Sequence, residues 1–341
     1  KKHAEEAGQR IQSLTEKAKL AKKREADETA WQTACQQNTQ SGYQAYLNGN
    51  TLKKHADEVQ QRLKALAQKT FAFEVVTVNA QGEITHREQK QARYETEDLG
   101  NGVALDMVSI PGGTFMMGSP DNEKDRYSDE GPQHRVTVEP FWMGKYPVTQ
   151  AQWQAVMGNN PSYRKGEKRP VERISWQDAV EFCQRLSEKT NREYRLASEA
   201  EWEYACRAGT TTPFYFGETI TTELANYNMS RGETTDVGSF PPNGFGLYDM
   251  HGNVWEWCAD IYYENYNGAP NDGGAWLAEK YQKWSLANLF SKKDIKTTRL
   301  LRGGSFAHDP SGCRAANRGG GTSDGRGYRR GVRVVAVAWT F

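Results

Sequence analysis

FGLYDMHGNVWEWCAD (residues 245–260) sets Trp255 and Trp257 directly behind a Gly252-Asn253 pair. The pair reads as a tight turn and the two indoles as core residues placed around it. From residue 210 onward the chain is dense in Gly, Asn, Pro and Trp and reads mostly as loop. Upstream, SWQDAVEFCQRLSEKTN (residues 175–191) has the pattern of an amphipathic helix. Ser175 is its N-cap, Asp178 stands at the third helical position, and Val180, Cys183 and Leu186 lie along its apolar face. YRLASEAEWEYACRAG (residues 194–209) offers Ser198 as a second cap. Earlier still, MVSIPGGTFMMGS (107–119) and HRVTVEPFWMGKYPVT (134–149) are short β-type runs broken by Gly and Pro. FAFEVVTVNAQGEITHRE (71–88) alternates in period two around a turn at Ala80-Gln81-Gly82 and predicts a hairpin.

Residues 1–69 differ in kind. They are rich in Ala, Lys, Glu and Gln, contain no Pro, and space Ile11, Leu14, Ala18 and Ala21 as a helix does. The interval from Tyr46 to Lys54 predicts a turn, after which Val59, Leu63 and Leu66 resume helical spacing. A helical hairpin with so few large apolar residues buries little surface alone, so the expectation is a coiled-coil or helical module that docks on a second copy or a partner, with a solvated stalk as the alternative. The expected organisation is therefore α+β: a helical module over 1–69, a β-hairpin and linker over 70–101, and a loop-rich domain over 102–341. That domain carries an insertion at about 262–298, with a helical piece around GGAWLAEKYQKW (273–284).

A formal net charge of +1 gives no electrostatic case for nucleic acid or an anionic membrane. No run approaches the roughly 18 apolar residues of a spanning helix. Five cysteines without a CxxC pair do not form a disulfide framework and favour a reducing compartment. Because the chain begins at Lys1, the lack of a leader weighs little, and an anchored or exported form stays open.

Six ordered strings, IPGGTFMMGS (110–119), PVTQAQWQAVM (147–157), RLASEAEWEYACRAG (195–209), FGLYDMHGNVWEWCAD, LLRGGSF (300–306) and GVRVV (331–335), resemble the formylglycine-generating enzyme/sulfatase-modifying factor family. The resemblance runs over roughly residues 102–337 and implies a compact, loop-rich variant of the C-type lectin fold. Ala197 stands where the family often has Pro. The helical segment in front resembles, more weakly, accessory segments of bacterial relatives. The fold hosts oxidases, sulfoxide synthases and ligand-display proteins, so function has to come from the residues. The copper oxidase of this family holds its metal with two cysteines five apart. Those positions fall here at His308 and Cys313, leaving one thiol, so copper is disfavoured and Cys313 is the sole catalytic candidate if the chain is an oxidase. No HxxxHxE iron motif occurs among the six histidines. The family also binds calcium, which by resemblance places Asn253, Glu256 and the carbonyl of Val254 in one site, and Asn226 and Tyr227 with carbonyls near Gly238 and Phe240 in a second that lacks the usual Asp at position 238.

The C-terminal segment separates into a frame and fillers. The frame is Arg302-Gly303-Gly304-Ser305, Pro310, Cys313-Arg314, Ala316-Asn317-Arg318, Asp324, Arg326, Gly331 and Arg333. The fillers are Ala307, His308, Asp309, Ser311, Gly312, Gly319, Gly320, Gly321, Thr322, Gly325, Gly327, Tyr328, Arg329 and Arg330. Relatives favour Asn at the filler places, and every residue found there is reached from the codon AAC by changing adenines alone. Lys, Glu, Gln, Met and Trp are not reachable in that way, and none occurs from Gly303 to Val335. This pattern resembles the variable protein of a diversity-generating retroelement. It implies a non-enzymatic display protein whose filler residues contact a ligand, expected to be a protein, with Tyr328, Arg329 and Arg330 as energetic anchors. Two alternatives stand beside it: a copper-dependent formylglycine-generating oxidase, and a structural subunit acting through its helices.

Overall fold

The computed structural model describes residues 2–37, 40–49, 52–67, 69–278 and 297–337. Two compact units separate at Lys69 and Thr70.

The first unit is helical: α1 (Lys2–Gln37), α2 (Gln40–Asn48) and α3 (Ala56–Ala67). Three helices stand where a hairpin of two was expected, and the turn expected from Tyr46 starts only after Asn48. The reason is a small core. Trp31, Ala34, Tyr43, Tyr46 and Val59 are buried together, which keeps Tyr46 in its helix. Asp27, 1% exposed, accepts the Tyr46 hydroxyl at 3.0 Å and the main-chain N–H groups of Lys53 and Lys54 at 2.7 and 3.1 Å. A buried carboxylate with three donors thus ties the 53–54 turn to α1. Toward the N-terminal end of α1, Ile11, Leu14 and Leu20 are exposed.

The second unit contains the other elements. Its largest sheet has the order β1-β2-β3-β6-β12-β7, with β1 (Lys69–Val78), β2 (Ile84–Gly100), β3 (Val103–Ile110), β6 (Phe141–Gly144), β7 (Tyr194–Leu196) and β12 (Val334–Val337). The hairpin at 71–88 is continuous with this sheet, since β2 pairs with β3 from Tyr94 to Gly100. Residues 70–101 are therefore an edge of the domain's own sheet, not a linker ahead of it. Side chains alternate between two cores. Val108, Ile110, Met143 and Val335 enter one; Leu105, Met107, Trp142, Val334 and Ala336 enter the other. Both faces are covered, as the period-two geometry of a strand allows. β4 (Gly113–Met117) and β5 (His134–Val138) form a separate pair.

Helices α4 (Gln150–Met157), α5 (Trp176–Thr190) and α6 (Glu199–Arg207) start at Thr149, Ser175 and Ser198. Each cap is a reciprocal capping box closed by Gln152, Asp178 or Glu201, so orphan N–H groups are satisfied locally. The four-stranded sheet β10-β9-β8-β11 joins the opening motif to the C-terminal segment: β8 (Trp255–Ile261), β9 (Thr298–Arg302), β10 (Arg318–Thr322) and β11 (Arg330–Gly331). Tyr262 N–H donates to the Thr298 carbonyl at 3.0 Å, bringing together the two ends of the expected insertion. Residues 273–278 are not helical; the rest of the expected helical piece, 279–284, lies outside the described residues.

Candidate binding surface and metal positions

Four buried arginines hold the irregular C-terminal segment. Arg302 pairs with Glu203 and donates to the carbonyls of Ala315, Ala316 and Asn317 at 2.7–2.9 Å, which fixes the turn entering β10. Arg314 reaches Glu130 at 2.5 Å and Glu123 at 2.6 Å. Arg318 pairs with Glu199 at 2.7 Å and donates to the Asp129 and Tyr263 carbonyls. Arg333 pairs with Glu256 at 2.8 Å and donates to the carbonyls of Gly144, Lys145 and Tyr248. Each guanidinium neutralises a buried carboxylate, and those of Arg302, Arg318 and Arg333 also donate to main-chain carbonyls, the use for which the fixed fork of donors is suited. These glutamates were not singled out from sequence as partners of the frame; they come from the EAEWE and WEW strings and the 123–130 loop.

The fillers sit on the outside of this arrangement. Ala307, His308 and Ser311 are half-buried and Asp309 is exposed; Gly320, Thr322 and Tyr328 are exposed; Gly319, Gly325, Gly327, Arg329 and Arg330 are half-buried. Their floor is the pair of indoles from the opening motif. Trp255 lies edge-on to the His308 ring at 5.1 Å and beneath Gly319. Trp257 lies beneath Gly321 and under the Arg330 guanidinium, 5.3 Å from its ring centre. Gly312 and Gly321 depart from the expected exposed set, for both are buried. A Cβ on Gly321 would stand 2.7 Å from the Trp257 ring, so packing makes this position part of the frame. One on Gly312 would meet the His308 side chain at 3.0 Å, which couples two fillers to each other.

The residues at the expected copper position do not fit that metal. The Cys313 thiol is fully buried, and burial pushes its pKa up to about 12; its sulfur lies 3.9 Å from the Ser305 carbonyl oxygen. That is an inert thiol. Trp255 Nε1 donates to His308 Nε2 at 3.4 Å, and His308 Nδ1 lies 2.7 Å from Ser305 Oγ. Both ring nitrogens are engaged. Burial, then the charge of Arg329, lowers the His308 pKa. The second buried histidine, His251, accepts the Tyr215 N–H at Nε2 and donates from Nδ1 to the Cys313 carbonyl at 2.7 Å, so it supports the Cys313 turn from beneath.

The calcium expectation fares unevenly. Glu256 is 1% exposed, and its carboxylate already receives Arg333 and the Trp202 Nε1–H at 2.6 Å. It is a structural partner here, not a free oxygen ligand; Val254, expected to offer its main-chain carbonyl, packs its side chain in the core. Asn226 and Asn253 do come together, with Asn226 Nδ2 donating to Asn253 Oδ1 at 3.4 Å. Gly238 joins them through Asp249, a residue not singled out from sequence, whose Oδ2 accepts the Gly238 N–H at 2.7 Å. Asn226 Oδ1 and Asp249 Oδ1 are buried without a hydrogen-bond partner, and burial pushes the Asp249 pKa up to about 6. Two orphaned oxygens of this kind are the part of the donor set that suits a hard cation. Tyr227 spends its hydroxyl on the Ile220 carbonyl; Phe240, expected to offer a main-chain carbonyl, has its side chain buried. Among the described residues no group of three or more His, Cys, Asp or Glu side chains forms a metal cluster.

A two-faced central sheet, a second four-stranded sheet, long loops pinned by buried arginines and a C-terminal surface of small or polar residues define an α+β domain of the loop-rich C-type lectin-like type. The chain belongs to the sulfatase-modifying factor family: residues 92–338 match the family described as "Sulfatase-modifying factor enzyme 1-like domain". It is similar to the formylglycine-generating enzyme of Thermomonospora curvata, with 28% identity over 305 residues that span 69% of this chain and 94% of that one. The structure of PvdO from Pseudomonas aeruginosa is similar at a TM-score of 0.61 and 35% identity, covering 71% of this chain and 98% of that one. Treponema denticola variable protein 1 is similar at a TM-score of 0.60 and 28% identity, covering 72% and 99%. The likeness thus includes a protein named as variable as well as one named as an enzyme. Among the described residues no helix is long and apolar enough to cross a membrane.

Proposed function

We propose that this protein displays a variable binding surface and performs no chemistry of its own. The observation that carries the reading is the division of one segment by burial: twelve of the fourteen fillers reach solvent, whereas Arg302, Arg314, Arg318 and Arg333 are buried and paired. A loop position that faces water on a scaffold held by other residues changes at little cost to folding. The restriction of the fillers to residues reachable from AAC, the likeness to a variable protein and the inert Cys313 support the same reading. The ligand is a protein, met by the Tyr and Arg fillers near the end of the segment. The helical unit, with Ile11, Leu14 and Leu20 exposed, carries self-association or attachment.

Deep sequencing of the gene's 3′ end across a population of the organism that carries it tests this. Heterogeneity is expected at the adenine-derived codons of the exposed fillers, with the arginine codons of the frame constant. A uniform segment whose filler codons do not end in C removes the diversification. Copper-dependent turnover of a cysteine peptide that disappears in Cys313→Ala would establish the oxidase instead.

A further inference from the structure

A cleft of 610 Å³ opens beside the fillers, and eight of its thirteen lining residues lie outside the C-terminal segment. One fixed wall is the loop of Tyr163, Arg164 and Arg173. The buried Glu172 carboxylate accepts the main-chain N–H of Tyr163 and, at 3.1 Å, that of Arg164, and Arg173 N–H donates to the Gly327 carbonyl at 3.0 Å. The other is Met229, whose N–H donates to the Phe306 carbonyl at 2.7 Å, next to Asn228, whose N–H donates to the His308 carbonyl at 2.7 Å. Arg173, Asn228 and Met229 all have positive φ, a conformation that non-glycine residues keep only where surrounding bonds hold it. Both fixed walls are therefore clipped by main-chain bonds to the strand of fillers they face. Tyr328 and Arg329 close the cleft from the variable side.

Its charge is not balanced internally. Arg164 and Arg169 share Glu233 at 3.3 and 2.8 Å, and Arg326 pairs with Asp178 at 2.7 Å. The remaining carboxylate of the wall, Glu172, feels the charge of Arg173 but is spent on the Tyr163 and Arg164 N–H groups. Arg173 and Arg329 form no ion pair within 4 Å among the described residues, and Arg329 lies over the Tyr328 ring at 4.8 Å. Around them Tyr163, Met229 and Tyr328 are 64%, 55% and 50% exposed, a concentration of apolar surface that a soluble domain rarely leaves uncovered.

From this we infer that the fixed side of the cleft is a constant subsite for an acidic peptide segment of the displayed protein's partner: a carboxylate on Arg173, reinforced in this copy by the filler Arg329, and a neighbouring aromatic or aliphatic side chain against Tyr163 and Met229. The inference rests on the display reading and deepens it. The fixed walls supply affinity common to all variants, and the fillers that close the cleft, Tyr328 and Arg329, select among sequences. Arginine suits carboxylate through its bidentate fork, and Tyr and Arg dominate binding energy where they are pre-positioned.

The test pans the full chain against phage-displayed random peptides, then measures the recovered peptides by fluorescence polarisation. Recovered peptides are expected to carry Asp or Glu beside an aromatic or aliphatic residue. Arg173→Gln and Tyr163→Ala, both at exposed side chains, are each expected to weaken binding about tenfold or more, with unchanged melting temperatures. Recovery of basic or uncharged peptides, recovery of none, or binding indifferent to Arg173→Gln overturns the inference. In the indifferent case the display reading survives if joint exchange of Asp309, Thr322 and Tyr328 abolishes binding. Peptides that need Arg173 but tolerate every filler exchange leave the cleft standing and remove the display.

Discussion

Seven arginines lie between residues 302 and 333, and they do two kinds of work. Arg302, Arg314, Arg318 and Arg333 are buried, each against a buried glutamate. Arg326, Arg329 and Arg330 stand at the surface, one on Asp178 and the other two over Tyr328 and Trp257. The same side chain is structural where a carboxylate waits in the core and available where none does. The difference shows why one segment can be both a scaffold and a binding surface. Removing a buried member leaves an uncompensated charge inside the protein, so Arg302→Ala is expected to cost about 3–5 kcal/mol. Arg329→Ala is expected to stay within about 0.5 kcal/mol. Urea unfolding of the two variants beside the parent measures both, and equal losses would erase the distinction between frame and filler.

The frame was legible in the sequence because fixed words such as RGGS and GVRVV stand out against small, polar neighbours. The capping boxes at Ser175 and Ser198 were legible too, since their partners are three residues away. The partners of the arginines were not: Arg314 meets Glu130 across 184 residues and Arg318 meets Glu199 across 119. Periodicity does not encode such pairings, and without them Glu256 read as a cation ligand when its charge is already answered by Arg333. Gly321 read as a filler because sequence cannot reveal the ring of Trp257 beneath it. The extra helix break in the first unit was hidden for the same reason, as Tyr46 is held by Trp31 and Asp27, not by local propensity. The cleft was missed because its fixed side comes from loops, around Tyr163 and Met229, that carry no motif.

A second contrast separates the two histidines of the segment's surroundings. His308 is half-buried among fillers, while His251 is 1% exposed beneath Cys313, and burial holds its pKa down to about 3. The unfolded chain takes a proton near pH 6.5, before the folded one does. The His251 contribution to stability is therefore complete above pH 6.5 and is lost as pH falls toward 3, by about 2 kcal/mol at pH 5. Asp249 and Asp260 act in the opposite sense. Burial raises them to about 6 and about 7, so their contribution is present below the unfolded carboxylate range and fades as pH rises through those values. Urea unfolding from pH 7.5 to 4.5 in the parent and in His251→Gln isolates the histidine. The parent is expected to lose more stability than the variant between pH 6.5 and 5, and parallel profiles would show that His251 does not carry the acid sensitivity.

The smallest effect tests the division at single-residue scale, inside one strand. Gly321 and Thr322 are neighbours in β10, both among the fillers by sequence, yet one is buried against Trp257 and the other is exposed. Gly and Thr are both one set of adenine changes away from the Asn codon AAC, so Gly321→Asn and Thr322→Asn are matched exchanges. At Gly321 the new Cβ meets an indole that is itself 1% exposed and packed in the core, so the ring or the strand has to shift, at about 1–3 kcal/mol. At Thr322 the side chain points to water and the exchange is expected to be neutral within about 0.5 kcal/mol. Thermal melts of the two variants settle it. A neutral Gly321→Asn would mean that the floor yields, which returns Gly321 to the variable surface and extends that surface onto Trp257.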